Sequence, residues 1–152
     1  MKAVKGFIFL FLFLSVQGCS SPSLILDIKS DETLNQDVRG QNFSVLVRVY
    51  QLTSPEYFEQ ADYHALLAGD VSALGESLLA QEEFIVEPGR DYELQFQREE
   101  GAEYKALAAF FRQVEGDQWQ AVRQLDNGVF YPMTTQSKIR LINNRILIIG
   151  KQ

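Results

Sequence analysis

The chain has a single cysteine, Cys19, directly behind the apolar run Phe7 to Val16, and everything able to fold lies on its C-terminal side. With one cysteine no intramolecular disulfide can form, so the fold must rest on packing and hydrogen bonds alone. Lys2 and Lys5 precede the run Phe7-Ile8-Phe9-Leu10-Phe11-Leu12-Phe13-Leu14. That run falls short of the roughly 20 apolar residues needed to cross a bilayer core of about 30 Å. A basic start, a short apolar centre and a small residue at its end predict a secretory leader over residues 1–18.

Val16-Gln17-Gly18-Cys19 resembles a bacterial lipobox. The resemblance implies that the Cys19 thiol carries a diacylglycerol, that the leader is removed before it and that the new amino terminus is acylated. Ser20 in the next position resembles lipoproteins sent on to the outer membrane. A lone cysteine is more often a small buried hydrophobe, but nothing foldable surrounds this one. One acyl chain holds a protein only marginally, whereas several make attachment effectively permanent. Residues 19–23 are then the lipidated cysteine and a polar linker, Ser20-Ser21-Pro22-Ser23, whose four residues reach at most about 14 Å.

Residues 24–152 amount to one domain. Twenty acidic residues face fourteen basic ones, a net charge of −6, and without Lys2 and Lys5 the balance is −8. A phosphate backbone repels such a domain, which excludes nucleic acid as the expected partner. One histidine and one cysteine are too few soft ligands for a structural zinc site, and no cofactor is expected.

Leu24 to Ile28 and Phe43 to Leu52 are rich in β-branched and aromatic residues and predict strands. Between them, Ser30 to Asn42 is a long loop of polar residues, and a loop of that length in a compact domain is usually functional or disordered. Ser54-Pro55-Glu56, Asp62 before Tyr63 to Ala68, Asp70 before Val71 to Leu74, and Gly69 are helix start and stop signals, which predict a small helical insert at about 54–80. Val71, Leu74 and Leu78 fall on one helical face. Phe84-Ile85-Val86, Pro88-Gly89 and the alternating Tyr92 to Gln97 predict a hairpin. Lys138 to Leu141 and Arg145 to Ile149 flank Asn143-Asn144 as a second hairpin, with Ile139, Leu141, Ile146 and Ile148 inward. A strand near Trp119 to Leu125 completes two packed sheets. Tyr104 to Phe111 is ambiguous from periodicity, fitting either a helix or a strand buried on both faces.

Candidate chemistry is sparse. His64 has no identifiable nucleophile beside it and is expected at a surface or cap. Asp27, Glu82, Glu83, Glu87 and the group Glu99, Glu100 and Glu103 read as solvated carboxylates. Phe110, Phe111 and Trp119 read as core. The chain is therefore not expected to be an enzyme. The alternative to a structural role is a periplasm-facing module binding a small ligand or envelope glycan in a groove between sheet and insert.

The elements occur in a telling order: lipobox, strand, the loop Leu34-Asn35-Gln36-Asp37 with Gly40, and the strand Val45-Leu46-Val47-Arg48-Val49-Tyr50-Gln51-Leu52. Phe58, Ala61-Asp62-Tyr63, Leu66, Glu87-Pro88-Gly89, Ala108-Ala109-Phe110-Phe111-Arg112 and Trp119 follow. The chain resembles the TssJ family, outer-membrane lipoproteins of the bacterial type VI secretion system. The resemblance implies a mainly β fold, a transthyretin-like two-sheet β-sandwich with a small helical insert, and makes Tyr104 to Phe111 a strand. It also implies an outer-membrane anchor whose domain faces the periplasm. Its partner would be the periplasmic C-terminal region of TssM, with TssL reached indirectly. The loop between the first two strands then carries the partner-binding candidates Asn35, Gln36, Asp37, Arg39, Gly40 and Gln41.

Overall fold

A computed structural model describes residues 22–127 and 134–149; the leader, Cys19 and the linker as far as Ser21 lie outside them. The described elements run β1 Ser23–Ser30, β2 Val45–Leu52, α1 Glu56–Glu59, α2 Tyr63–Leu67, a 3-10 segment Ser72–Ser77, β3 Leu78–Val86, β4 Asp91–Gln97, β5 Tyr104–Phe110, β6 Gln120–Gln124, β7 Thr135–Ile142 and β8 Arg145–Ile149. They make two four-stranded sheets: sheet A in the order β4-β1-β7-β8, sheet B in the order β3-β2-β5-β6. The fold is the mainly β sandwich that the sequence predicts.

Sheet A is built by simple alternation. Leu24, Leu26 and Ile28 of β1, Ile139 and Leu141 of β7 and Ile146 of β8 are buried, while Lys29, Lys138 and Arg140 between them face water. Period two sorts these residues to opposite faces, so one face is apolar and the other solvated. The terminal hairpin turns at Asn143, whose φ of 52° asparagine tolerates, and Ile148 is half-buried where full burial was expected. β1 lies inside the sheet, antiparallel to β4 and parallel to β7.

Sheet B has no solvated face at its centre. Nearly every residue of β2 and β5 is buried. Val45, Val47 and Val49, with Leu107 and Ala109 across from them, turn to sheet A; Arg48, Tyr50 and Leu52, with Ala106, Ala108 and Phe110, turn to the insert. Burial on both faces removes the period-two signal, and that is why Tyr104 to Phe110, a strand here, could not be told from a helix by pattern. The buried Arg48 clamps the insert to the sheet: its guanidinium pairs with Glu83 at 3.0 Å, donates to the Leu66 carbonyl and lies 4.9 Å from the Phe110 ring centroid. Tyr50, Phe58, Leu66, Leu74 and Trp119 fill the space between, where the alternative ligand-binding reading places a groove.

Three expectations need correction. β3 and β4 do not form a hairpin. β3 pairs with β2 and β4 with β1, so Pro88-Gly89 carries the chain from one sheet to the other. Gly89 (φ 66°) makes that crossing, and Ser30 Oγ secures it by donating to the Glu87 carbonyl at 2.6 Å and accepting from the Arg90 N–H at 2.9 Å. The insert ends at Ser77 rather than residue 80, because Leu78 already pairs with Leu52 in β2 and Gly75 (φ 51°) breaks the 3-10 segment. Ser54 does not cap the first helix, whose N-cap position is Pro55 with no side-chain bond. Asp62 does cap the second, accepting from the Ala65 N–H at 2.9 Å, and Gly69 (φ 85°) follows its end.

At the end of the sandwich near Pro22, Lys105 is only 3% exposed, on the β5 face shared with Leu107 and opposite Gln51. Burial lowers its pKa from 10.5 to about 8, against the pull of Asp126 and with Arg123 and Arg98 adding to the fall. Between about pH 8 and 10.5 the unfolded chain binds more protons than the folded one, so stability rises with pH through that window. Below it, the folded state carries the full cost of the buried charge. Lys105→Met should therefore stabilise the domain by about 1–3 kcal/mol at pH 7, with the gain shrinking as pH climbs through the window. Melting parent and variant side by side across that range checks this; a gain that is absent at pH 7 or independent of pH would contradict it.

Candidate functional site

Four connections reach the end of the sandwich away from Pro22: the β3–β4 crossing at Pro88-Gly89, and three that join one another, residues 31–44 between β1 and β2, residues 111–119 between β5 and β6, and the turn at Asn143-Asn144. The β1–β2 connection is anchored by Leu34, which is fully buried; its N–H donates to the Asp31 carbonyl at 3.1 Å and its carbonyl accepts from Phe43 at 3.2 Å. Past this plug the chain turns left-handed at Asn35 (φ 52°), a conformation open to few residues besides glycine, asparagine and aspartate.

Asn35 ties the three connections together. Its backbone N–H donates to the Asn143 carbonyl at 2.7 Å, its Nδ2 donates to the Ser44 carbonyl at 2.7 Å, and its Oδ1 accepts from the Arg112 N–H at 2.7 Å. The residue is 2% exposed, so these bonds are made away from water, where losing a partner costs most. Beside it, Asn144 Nδ2 donates to the Gln36 carbonyl at 3.3 Å, and the Arg112 guanidinium lies 4.0 Å from the Phe43 ring centroid.

The loop tip is a tight turn of its own. Asp37 Oδ1 accepts from the N–H groups of Arg39 at 2.8 Å and Gln41 at 2.9 Å, and Gly40 takes a φ of 76°. The turn lifts Val38 into solvent at 85% exposure, with Arg39 beside it. Below the tip, a polar cavity of about 250 Å³ opens between Gln36 and Asp37, Gln113, Glu115 and Gln118, and Asn143 to Arg145.

The six partner-binding candidates thus separate. Asn35 is a buried brace with both ends of its amide engaged in the fold, and Asp37 is occupied on one oxygen in shaping the turn. Gln36 is half-buried at the cavity wall, while Arg39, Gly40 and Gln41 are exposed. Cys19 lies outside the described residues. Sequence reasoning passed over Val38, Glu115 and the Asn143-Asn144 turn as parts of the same surface. A lone valine in a polar loop was the one available signal; the other two join only through the fold.

The residues weighed for catalysis stay apart. His64 is exposed on the insert, edge-on to Tyr63; Asp27 bonds Gln136 at 2.8 Å on sheet A, and Glu83 pairs with Arg48 on sheet B. A second hollow, about 410 Å³, runs along the solvated face of sheet A between Asp27, Lys29, Asp91, Glu93, Lys138 and Arg140. Three of these six charges are paired, Lys29 with Asp91 and Arg140 with Asp31, each at 3.2 Å.

Residues 22–144 match the family described as T6SS-SciN, type VI secretion lipoprotein (VasD, EvfM, TssJ). Among solved structures, the T6SS lipoprotein TssJ1 from Pseudomonas aeruginosa superposes with a TM-score of 0.72 at 23% identity, covering 87% of this chain and 98% of that one. Serratia marcescens Lip, a membrane-bound component of the type VI secretion system, gives 0.77 at 23%, covering 84% and 97%. These two likenesses bear on the fold. A chain of the structure described as the T6SS protein TssM C-terminal domain from EAEC gives 0.72 at 27%, covering 85% and 98%. No curated protein matches the chain in sequence.

The brace and the tip make separable predictions. Asn35→Ala should lose about 2–4 kcal/mol, because it strands the Ser44 carbonyl and the Arg112 N–H and forces alanine into a left-handed turn. Arg39→Ala should stay within about 0.5 kcal/mol. Denaturant titration of both variants checks this, and equal losses would refute the division.

Proposed function

Because the chain belongs to the type VI secretion lipoprotein family that includes TssJ, we propose that it is a non-enzymatic outer-membrane anchor. In this reading, acyl chains on Cys19 fix one end of the domain, and the loop end holds the periplasmic C-terminal region of TssM. The secretion membrane complex is then secured to the outer membrane, with TssL linked indirectly through TssM.

The observation that carries this reading is the course of β1. The strand starts at Ser23, four positions after Cys19, and finishes at Ser30, one position before the loop. Its eight residues at about 3.3 Å each separate the two ends by roughly 25 Å. Because β1 is paired along both edges, the separation is rigid. A tether at Ser23 therefore leaves the three-loop surface at the end of the domain remote from the attachment, which supports its meeting a protein that arrives from the other side of the periplasm. The likeness at 27% identity to a chain found in a structure of the TssM C-terminal domain adds support for that partner.

Anchoring of this kind asks only that neither contact slip. One acyl chain leaves readily, and stable attachment takes two or more, so the lipid end holds only when fully modified. The protein end must hold by contact, which suits a preorganised surface such as the braced loops.

Cys19→Ser should leave a folded domain that still binds the TssM periplasmic region but no longer fractionates with the outer membrane. Membrane fractionation and pull-down on the same cells test the two halves together. An unlipidated variant that stays in the outer membrane would remove the anchor from the account.

A further inference from the structure

The cavity at the three-loop junction has a chemical bias that identifies what it receives. Two carboxylates, Asp37 and Glu115, line it against one cation, Arg145, and the rest of its wall is amide side chains. Asp37 gives only one of its oxygens to the turn, which leaves the other open. Asn144, also in the wall, has a buried Oδ1 with no partner among the described residues. Two carboxylates against one guanidinium leave the cavity with an excess of negative charge, and a cationic group would meet the open Asp37 oxygen and the Glu115 carboxylate.

Its surroundings point the same way. Val38 adjoins Asp37 at the tip and is 85% exposed; Val114, between Gln113 and Glu115, is 37% exposed. Two apolar side chains beside a polar pocket match the pattern in which a long charged side chain buries its stem on apolar surface and seats its head in the pocket. The chain carries −6 overall, so its field draws in a basic surface and repels an acidic one.

We propose that this cavity is the receiving site for a lysine or arginine side chain of the protein partner, its head between Asp37 and Glu115 and its stem against Val38 and Val114. The inference rests on the reading of the loop end as the TssM-binding surface, and it adds what chemistry the partner must present there. About 250 Å³ is ample for one such side chain and its bridging waters.

The test titrates the full-length lipoprotein in detergent micelles with the TssM periplasmic region. Variants are Glu115→Lys, Glu115→Gln, Val38→Ser and Arg145→Gln, with Glu59→Lys, an exposed charge reversal on the insert, as control. Glu115→Lys should weaken binding by about tenfold or more, and Glu115→Gln by less. Raising salt from about 50 to about 500 mM should weaken the parent more than Glu115→Gln, since one screened pair is already gone. Val38→Ser should weaken binding without changing the salt response, and Glu59→Lys should do neither. If Val38→Ser weakens binding while both Glu115 variants bind like the parent, the cationic guest is overturned and the loop-end reading stands. Should Arg145→Gln weaken binding while the Glu115 variants do not, the guest is an anion and the proposal is again overturned. If none of the loop variants changes affinity, the loop end is not the interface and both ideas fall.

Discussion

The course of a single internal strand governs the molecule's geometry. β1 is paired antiparallel on one edge and parallel on the other, which makes it a straight rod between the end that meets the linker and the end that opens into the long loop. A strand at a sheet edge could peel or bend; one paired on both sides must break two ladders to do so. Sheet A, which contains it, keeps one face in water, so covering falls to sheet B, and the insert closes that sheet with Arg48 as its clamp. The two faces of the sandwich are therefore unequal: one solvated and carrying charges, the other sealed by helices.

At the far end of β1 the loop would be a long polar connection without a fixed shape were it not for Asn35. One residue in the left-handed region, with bonds into Ser44, Arg112 and Asn143, converts three separate connections into one surface. Preorganisation of that kind lowers the ordering cost of any contact made there. The tip is fixed in turn by Asp37, and the turn it shapes holds Val38 in water.

Much of this architecture was legible in the sequence, and the parts that were not share a cause. Alternation in Tyr92 to Gln97 and Lys138 to Ile149 was legible because the outer face of sheet A is wet, while Leu24 to Ile28 was read as a strand from its composition. The run Tyr104 to Phe111 gave no period because both its faces are dry, and only the family resemblance made it a strand. Pro88-Gly89 reads as a turn and is one, but local sequence does not say whether two strands joined by a turn share a sheet; β3 and β4 had each been claimed by other strands. The loop was recognised as the candidate surface, yet Asn35 read as exposed polar when it is the buried brace. An asparagine's role depends on whether its amide meets water or backbone, and those partners come from residues as distant as 112 and 143.

The central claim is that the three-loop end, and neither the solvated sheet nor the insert, faces the partner. The most direct measurement is site-specific photocrosslinking in cells that make both proteins, with the reactive residue placed in turn at Val38 on the loop tip, Gln95 on the solvated face of sheet A and Glu59 on the insert. All three positions are exposed, so reactivity alone does not favour any of them. The account predicts a crosslink to TssM from position 38 and none from positions 95 and 59. A crosslink from position 95 or 59 with none from 38 would contradict it.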